Sequence, residues 1–309
     1  MRSKIITSGY KFIDIDAFAC IFAYKEFLDA QGEDSDIAIT AQYNSSITKR
    51  YRDLNMGAVF PDVKEKSFVI MDVSDPDYFE RFVDLNAVSN IFDHHPGFEE
   101  YWKKKLGKAA VIEPVGAAAT LVYREYKKMG LLKKISPMSA ELLAVAILSN
   151  TLNFQAKITK EEDRIAYEEL KKFFAYSSEF ESRYFSEIQK NIEKDISGSL
   201  DGDAKHIHPG LFIGQLEIWD SKRILDAFSS SIKSFLKAAD SEVAFLNLID
   251  LHKKRNILMF NDEKTLQYVK KYFPEFEYIP EEAIAITSHV ILRKEILSRI
   301  YESDGRGTA

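Results

Sequence analysis

The first half of the chain alternates short apolar runs with helical patterns, and this alternation restricts the possible folds most strongly. The segment from Ala17 to Ala30 has apolar residues at helical spacing. The runs predicted as strands are Lys4–Ser8, Asp36–Thr40, Ser67–Met71 and Ser89–Phe92. Strands that alternate with helices form parallel sheets covered by helices. The sequence therefore predicts an α/β fold with an N-terminal parallel sheet.

The length of the chain predicts a second domain. With 309 residues, of which 46% are hydrophobic, the chain exceeds what one core usually supports. The apolar runs "LFIGQLEI", "EVAFLNLID" and "NILMF" predict a second α/β unit, and "SGSLDGD" (residues 197–203) predicts a linker before it. We predict a domain over residues 1–190, a linker over 191–202 and a smaller C-terminal α/β domain over 203–309.

One helix has a clear start in the sequence. Ser136 is suited to the N-cap and Pro137 to the first helical position, and the apolar run "MSAELLAVAIL" follows. We therefore predict a buried helix that begins at Pro137.

Composition argues against several classes of partner. The net charge is -6 and no long Lys/Arg tract is present, which disfavours duplex nucleic acid. We find no run of about 18 apolar residues that could span a membrane, and no signal-peptide core. The single Cys20 excludes an intramolecular disulfide and suits a reducing compartment. We predict a cytoplasmic protein with no duplex nucleic acid or membrane partner, whose exposed sheet edge could pair in a homodimer.

Acidic residues follow three of the predicted strands. Asp14 and Asp16 come after the first strand, Asp72 comes after the third, and Asp93–His95 (the sequence "DHH") comes after the fourth. The carboxyl ends of parallel strands share one edge of a sheet, so these side chains should converge. Crowded carboxylates repel each other unless a cation lies among them. Carboxylate with imidazole suits manganese, magnesium or cobalt.

Each acid taken singly has a simpler interpretation. An Asp at the end of a strand is commonly a turn or helix-cap residue, and Asp16 could simply cap a helix that starts at Ala17. The coincidence of three acid-bearing strand ends in order favours a metal site over three independent caps.

Motifs along the whole chain resemble those of one superfamily. "GYKFIDIDAF", "MDVSD" and "DHH" occur in order, followed by "EPVGAAATLVYREYKKMG" and "AILSNTLNFQAKITKEED". They resemble the DHH phosphoesterase superfamily, in particular its manganese-dependent family II inorganic pyrophosphatases and related exopolyphosphatases. In the second domain, "DAK", "FIGQLEIWD" and "ILRKE" resemble the pyrophosphatase C-terminal domain. The resemblance implies an active site in the cleft between two domains.

The resemblance also implies the metal ligands. Asp14 and Asp72 would hold one ion, and Asp16, Asp72 and His94 would hold the second. Manganese is the expected ion, with magnesium or cobalt as alternatives. Two such ions can activate water and neutralise phosphoryl oxygens.

Residues on the substrate side follow from the same resemblance. His95 would donate to a substrate phosphate, and Asp93 would orient the two histidines. Lys205, Arg293 and Lys294 would contact the anionic leaving group from the second domain. The alternative for Arg293 and Lys294 is a solvated helix face.

Two positions depart from the pyrophosphatase pattern. Tyr10 stands where the family has a histidine ligand, and Asn150 stands where it has an aspartate within Ser-Asp-Thr. A phenol with a pKa near 10 is a poor manganese ligand at neutral pH, whereas Asn150 can coordinate through its amide oxygen without adding charge. Three carboxylates against two dications leave one extra positive charge, so one or two ions are expected.

These observations lead to one main hypothesis and two alternatives. The main hypothesis is a divalent-metal-dependent phosphohydrolase that acts on pyrophosphate, short polyphosphate or another small phosphorylated molecule. The first alternative is a weakened or inactive relative that binds a phosphorylated ligand or a protein partner. The second, a nanoRNase or cyclic-dinucleotide phosphodiesterase, is disfavoured because the Gly-Gly-His motif of the other common DHH partner domain is absent.

Overall fold

The computed structural model describes residues 3–304 except 55, 57–62 and 209. The chain divides into two compact units, Met1–Glu181 (unit 1) and Ser182–Ala309 (unit 2). Each unit has its own sheet with helices packed on it, so the predicted α/β class with an N-terminal parallel sheet is confirmed. Among the described residues, no helix combines the length and the apolar character needed to cross a membrane.

Unit 1 is built on a five-stranded, all-parallel sheet of order β3-β1-β5-β6-β7. Its strands are β1 (Lys4–Thr7), β3 (Ser35–Ile37), β5 (Ser67–Met71), β6 (Val88–Asp93) and β7 (Ala110–Ile112). A second, two-stranded parallel sheet pairs β2 (Phe12–Ile13) with β4 (Gln42–Tyr43). The strands predicted in this half of the chain all form, with ends shifted by a few residues.

The described part of unit 1 contains the α-helices α1 (Ile15–Asp29), α2 (Lys49–Arg52), α3 (Glu99–Leu106), α4 (Ala118–Lys128), α5 (Pro137–Asn150) and α6 (Glu161–Leu170). Helix α5 begins as predicted, since the Ser136 side chain accepts a hydrogen bond from the Ser139 amide and Pro137 is the first helical residue. Its residues from Ser139 to Leu148 are buried, which explains why the helix is apolar on every side.

Aromatic packing fixes helix α1 against helix α4 and the sheet. The rings of Phe27 and Tyr126 are 5.1 Å apart and those of Tyr24 and Phe92 are 5.0 Å apart. The buried Tyr126 hydroxyl donates to the Ala23 carbonyl at 2.7 Å. These contacts pack the carboxyl-terminal halves of α1 and α4 against each other and place α1 on strand β6.

Unit 2 contains a six-stranded mixed sheet of order β12-β13-β11-β10-β9-β8, in which β9 and β10 are parallel. Its strands are β8 (Lys205–His208), β9 (Leu211–Ile218), β10 (Val243–Asp250), β11 (Arg255–Phe260), β12 (Glu277–Ile279) and β13 (Ile284–Ile286). Its helices are α7 (Phe180–Lys194), which begins at the end of unit 1, α8 (Ile196–Asp203), α9 (Ser221–Ala238), α10 (Glu263–Tyr272) and α11 (Arg293–Ser303). Apolar residues of β9, β10 and β11 form the core with α10 and α11.

The structure differs from the predicted linker over 191–202. This segment is helical, because it holds the end of α7 and most of α8, and the units divide at Glu181 rather than near residue 190. The Asp195 side chain caps α8 by accepting from the Gly198 amide, and Leu200 is buried. A capping acid and one buried leucine outweigh the turn preference of the Gly and Ser residues.

Candidate metal centre

The ends of strands β1, β5 and β6 lie side by side at the carboxyl edge of the parallel sheet. The Ser8 hydroxyl, just past β1, donates to the Met71 carbonyl at 2.6 Å, and the Asp72 amide donates to the Phe92 carbonyl at 2.7 Å. Asp72 has a φ of 59°, in the left-handed region. Backbone strain of this kind in a non-glycine residue costs about 1–3 kcal/mol and is concentrated at functional sites.

This edge brings together a carboxylate and two imidazoles, as the strand-end pattern predicted. Asp72 Oδ1 lies 3.4 Å from His94 Nε2 and 3.9 Å from His95 Nδ1. Asp16 Oδ2 lies 3.8 Å from His94 Nε2. Ligand atoms of Asp72, His94 and His95 all lie within 4.8 Å of one another.

The hydrogen bond at the far side of the His94 ring fixes its protonation. Nδ1 lies 3.1 Å from the Val115 carbonyl, which can only accept, so Nδ1 carries the proton and Nε2 presents a lone pair. Burial and the charge of His95 lower the pKa of His94, which keeps the ring neutral. A histidine held in this way is typical of metal ligands.

The His94 lone pair faces an acceptor that has no hydrogen bond of its own. Asp72 Oδ1 is buried and accepts no hydrogen bond from a described residue, although it lies only 3.4 Å from His94 Nε2. Two acceptors at this distance repel each other unless a proton or a metal cation is shared between them. The donor set of carboxylate and imidazole therefore fits a divalent metal ion.

Asp93 holds the two histidines in place. Its Oδ1 accepts from the backbone amides of His94 (2.8 Å) and His95 (3.1 Å) and lies 2.8 Å from His95 Nδ1. Burial alone would raise the pKa of Asp93, but the hydrogen bond and the charge of His95 hold it below its ordinary value. The same hydrogen bond outweighs desolvation and raises the pKa of His95, whose side chain is 61% exposed. The contact with Asp93 therefore favours the protonated form of His95, which can donate a hydrogen bond at the surface of the site.

The two acids after β1 have different partners. Asp14 is the N-cap of α1 and accepts from the amides of Asp16 and Ala17, both at 3.0 Å. The cap is thus Asp14, and the interpretation of Asp16 as the cap is wrong. The buried Asp16 carboxylate accepts instead from Ala118 (2.8 Å) and Ala119 (2.9 Å), at the amino end of α4.

Proximity of these acids suppresses their ionisation. Burial and the charge of Asp14 raise the pKa of Asp16 to about 7, although the α4 amides oppose the shift. Burial and the charges of Asp16 and Asp14 raise the pKa of Asp72 well above its ordinary value. A cation bound here would offset this repulsion.

Tyr10 and Asn150, the two predicted departures from the pyrophosphatase motifs, lie after strand β1 and at the end of helix α5. Tyr10 follows β1, its amide donates to the Tyr78 carbonyl at 3.0 Å, and the Arg81 guanidinium lies 3.9 Å from the centre of its ring. Asn150 is the last residue of α5, and its side-chain nitrogen lies 3.5 Å from the Ala146 carbonyl. Metal coordination by Asn150 stays a prediction.

Unit 2 holds the three predicted phosphate contacts. Lys205, the first residue of β8, and Lys294, in the first turn of α11, are exposed. Arg293 is engaged within unit 2: its guanidinium bonds to both carboxylate oxygens of Asp203 at 3.2 Å and also to the Asp203 carbonyl, and its side chain is 13% exposed. A contact between these residues and a substrate stays a prediction.

A buried amide network fixes the segment that carries Arg293 and Lys294. Asn256 donates to Asn247 (2.5 Å) and to the Ile291 carbonyl (2.6 Å), and accepts from the Ile291 amide (3.2 Å). Gln215 accepts from the Arg293 amide at 2.7 Å. Sequence reasoning missed both asparagines, because they lie inside apolar strands and carry no motif; it also missed Val115 and Arg81.

Comparison with known proteins gives the family context. No family model matches the chain. The chain is 24% identical over 271 residues (83% of the chain, 86% of the relative) to a probable manganese-dependent inorganic pyrophosphatase of Staphylococcus carnosus. It is 23% identical, over 97% of the chain and 99% of the relative, to a probable manganese-dependent inorganic pyrophosphatase of Lactobacillus delbrueckii. It is 25% identical, over 84% and 86%, to the manganese-dependent inorganic pyrophosphatase of Methanothrix thermoacetophila.

The chain is thus similar in sequence to manganese-dependent inorganic pyrophosphatases, at 23–25% identity. Solved structures agree at the level of fold. A putative family II inorganic pyrophosphatase of Methanococcus jannaschii matches with a TM-score of 0.63 and 18% identity over 98% of this chain and 99% of that one. An exopolyphosphatase-related protein of Bacteroides fragilis matches with a TM-score of 0.52 and 13% identity over 98% and 91%.

Proposed function

We propose that the chain is a divalent-metal-dependent phosphohydrolase that cleaves a phosphoanhydride or phosphoester bond in pyrophosphate, short polyphosphate or another small phosphorylated molecule. The observation that carries this proposal is the opposition of His94 Nε2 to the unpartnered, buried Asp72 Oδ1 at 3.4 Å. The names of the family II relatives support manganese as the ion and pyrophosphate-like substrates.

Asp72, His94 and Asp16 are the residues that would hold the metal, with Asp14 adjoining. When bound, one or two such ions supply a Lewis acid that activates water and neutralises charge on phosphoryl oxygens. Val115 keeps His94 in the tautomer that offers Nε2, and the α4 amides orient Asp16. These contacts preorganise the ligands before an ion arrives.

His95 acts on the substrate side of the centre. Its Nδ1 is held by Asp93, which leaves Nε2 of the exposed ring, in its protonated form, to donate to a phosphoryl oxygen. We expect this donor to stabilise the charge that develops on the phosphoryl group in the transition state. The proposal extends to Lys205 and Lys294 as contacts to the leaving group.

The test is phosphate release from pyrophosphate, tripolyphosphate and a nucleotide panel, with manganese, cobalt or magnesium and a chelator control. Metal-dependent release that falls more than about a hundredfold in Asp72→Asn would establish the enzyme and its substrate class. Asp77→Asn, in an exposed turn after the same strand, is the matched control and should retain wild-type rates. Equal rates in wild type and Asp72→Asn would refute the proposal.

A non-catalytic binding protein is the second candidate. It is favoured by Asn150, which brings no charge to the site. It is also favoured by Tyr10, whose ring contacts the Arg81 guanidinium. This candidate predicts manganese and phosphate binding without phosphate release. Release that appears only in the double variant Tyr10→His, Asn150→Asp would support it.

A further inference from the structure

A cluster of aromatic and cationic side chains lies beside the metal centre. We give the name Tyr10 patch to Tyr10, Lys11, Tyr78 and Arg81, which are linked by contacts between cations and rings, together with Phe12, their neighbour in the sequence. The Arg81 guanidinium lies 3.9 Å from the centre of the Tyr10 ring, and Lys11 Nζ lies 5.2 Å from the centre of the Tyr78 ring. Phe12 is 59% exposed and Tyr78 is 48% exposed. The proposed hydrolytic mechanism uses none of these five side chains.

The backbone places the Tyr10 patch at the same sheet edge as Asp72. Ser8 donates to Met71, the residue before Asp72, so these two chain segments touch. Gly9 forms a bridge with Phe79, and the Tyr10 amide donates to Tyr78, which joins both parts of the patch. Tyr10 is two residues from Ser8, a Cα span of at most about 7 Å. A ligand phosphate at the metal centre would have its remaining atoms within reach of the patch.

The chemistry of the patch favours a ligand that is both planar and anionic. Among the described residues, neither Lys11 nor Arg81 forms an ion pair with a carboxylate, so both charges are available to an anion. An inorganic polyphosphate would need only these charges. It would not use the exposed rings of Phe12 and Tyr78, whereas a planar base could stack on them. Rings next to cations are the usual binding surface for a nucleobase attached to phosphate.

We propose that the Tyr10 patch binds the base and the outer phosphate of a nucleotide whose phosphoanhydride is held at the metal centre. This inference rests on the proposed function and narrows its substrate class to nucleoside polyphosphates. In this proposal, Tyr10 is no metal ligand, and its ring serves instead to position the Arg81 guanidinium.

Binding of two matched probes tests the proposal without turnover. The probes are α,β-methylene-ADP and methylenediphosphonate, which share an uncleavable diphosphate and differ in the nucleoside, titrated calorimetrically with manganese. We expect wild type to bind the nucleoside probe more tightly than methylenediphosphonate. The ratio of the two dissociation constants should shrink about tenfold in the double variant Phe12→Ala, Tyr78→Ala. Arg81→Ala should weaken the binding of both probes. Met129→Ala, which removes an exposed apolar side chain at the far end of α4, should keep the preference.

The outcomes separate this inference from the proposed function. Tight binding of both probes with no preference for the nucleoside, or a preference unchanged in the double variant, would overturn the nucleotide assignment and leave a polyphosphate or pyrophosphate hydrolase. Binding of neither probe would overturn both. The ratio of kcat/KM for ADP and tripolyphosphate provides a second readout, and it should fall about tenfold in the double variant.

Discussion

Two clusters of buried polar side chains, one in each unit, are arranged in opposite ways. At the sheet edge of unit 1, burial and the charge of Asp14 raise the pKa of both Asp16 and Asp72, and Asp72 Oδ1 has no hydrogen bond from a described residue. In unit 2, the buried amides of Asn247 and Asn256 pair with each other and with the backbone.

This difference separates structural groups from groups that need a ligand. A buried polar group without a partner costs free energy, and most proteins leave few of them. The network of unit 2 is satisfied by the protein itself, so its role is to fix one backbone segment. The imbalance in unit 1, together with the strained backbone of Asp72, costs stability in the metal-free protein, and a bound cation would offset this cost.

The largest expected stability effect lies in unit 2. Asn256→Ala removes two donated hydrogen bonds and one accepted bond, and it leaves buried partners unsatisfied. We expect the free energy of unfolding to fall by about 3 kcal/mol, measured by urea denaturation. Asn261→Ala, at a half-buried position with one long contact of 3.4 Å, is the matched control. A loss no larger than that of the control would show that the network is not structural.

The next effect concerns metal binding in unit 1. Manganese at a hundredfold excess over its dissociation constant should stabilise the protein by about 2.7 kcal/mol relative to chelator. Because the pKa of Asp16 is raised to about 7 and that of Asp72 is also raised, these two carboxyl groups bind more protons in the metal-free fold than in the unfolded chain. Its stability therefore falls as the pH rises from about 4 through 7.

Thermal unfolding at two pH values measures this effect. The difference in Tm between manganese and chelator should be larger at pH 8 than at pH 6. At pH 8 fewer protons remain on the ligands for the metal to displace. Addition of calcium, a larger ion that prefers all-oxygen sites, provides the matched comparison. A difference in Tm that is the same at both pH values would argue against carboxylates as the ligands.

The sequence predicted the part of the fold in which periodicity and capping are strong. The strands at Lys4, Ser67 and Leu211 and the helix that starts at Pro137 all form as expected. The two-residue strands β2 and β4 are too short to show any alternation, so no pattern indicated them. The helix over Ile196–Asp203 was missed because its stability comes from one cap and one buried leucine, which composition does not reveal.

The same limit applies to the candidate site. Strand ends predicted that Asp16, Asp72 and His94 converge, because topology alone brings them to one edge. The Val115 carbonyl, the left-handed backbone of Asp72 and the Arg81 contact to Tyr10 depend on tertiary geometry. A backbone carbonyl can come from any residue type, so no sequence signal could have shown its role.

Replacing one acid in each unit should change the free energy of unfolding by a smaller amount and in opposite directions. In chelator at pH 8, Asp72→Asn should raise the free energy of unfolding by about 1 kcal/mol, since it removes a buried charge repelled by Asp14 and Asp16. Asp203→Asn should lower it, because the largely buried Arg293 guanidinium loses its charged partner. Urea denaturation of both variants checks the signs. Destabilisation by both variants would mean that the acids of unit 1 are structural as well.

The smallest effect tests what Arg293 does. Arg293→Lys keeps the charge but loses the forked contact to Asp203, which is 42% exposed, so water screening should limit the loss of stability to below about 1 kcal/mol. The exposed Lys294 next to it offers the matched variant Lys294→Ala, which should lower kcat/KM for pyrophosphate without changing the urea midpoint. If Arg293→Lys instead lowers kcat/KM at unchanged stability, the guanidinium leaves Asp203 to bind the substrate, as the motif resemblance predicted. A change in stability with unchanged KM would assign Arg293 to the fold of unit 2.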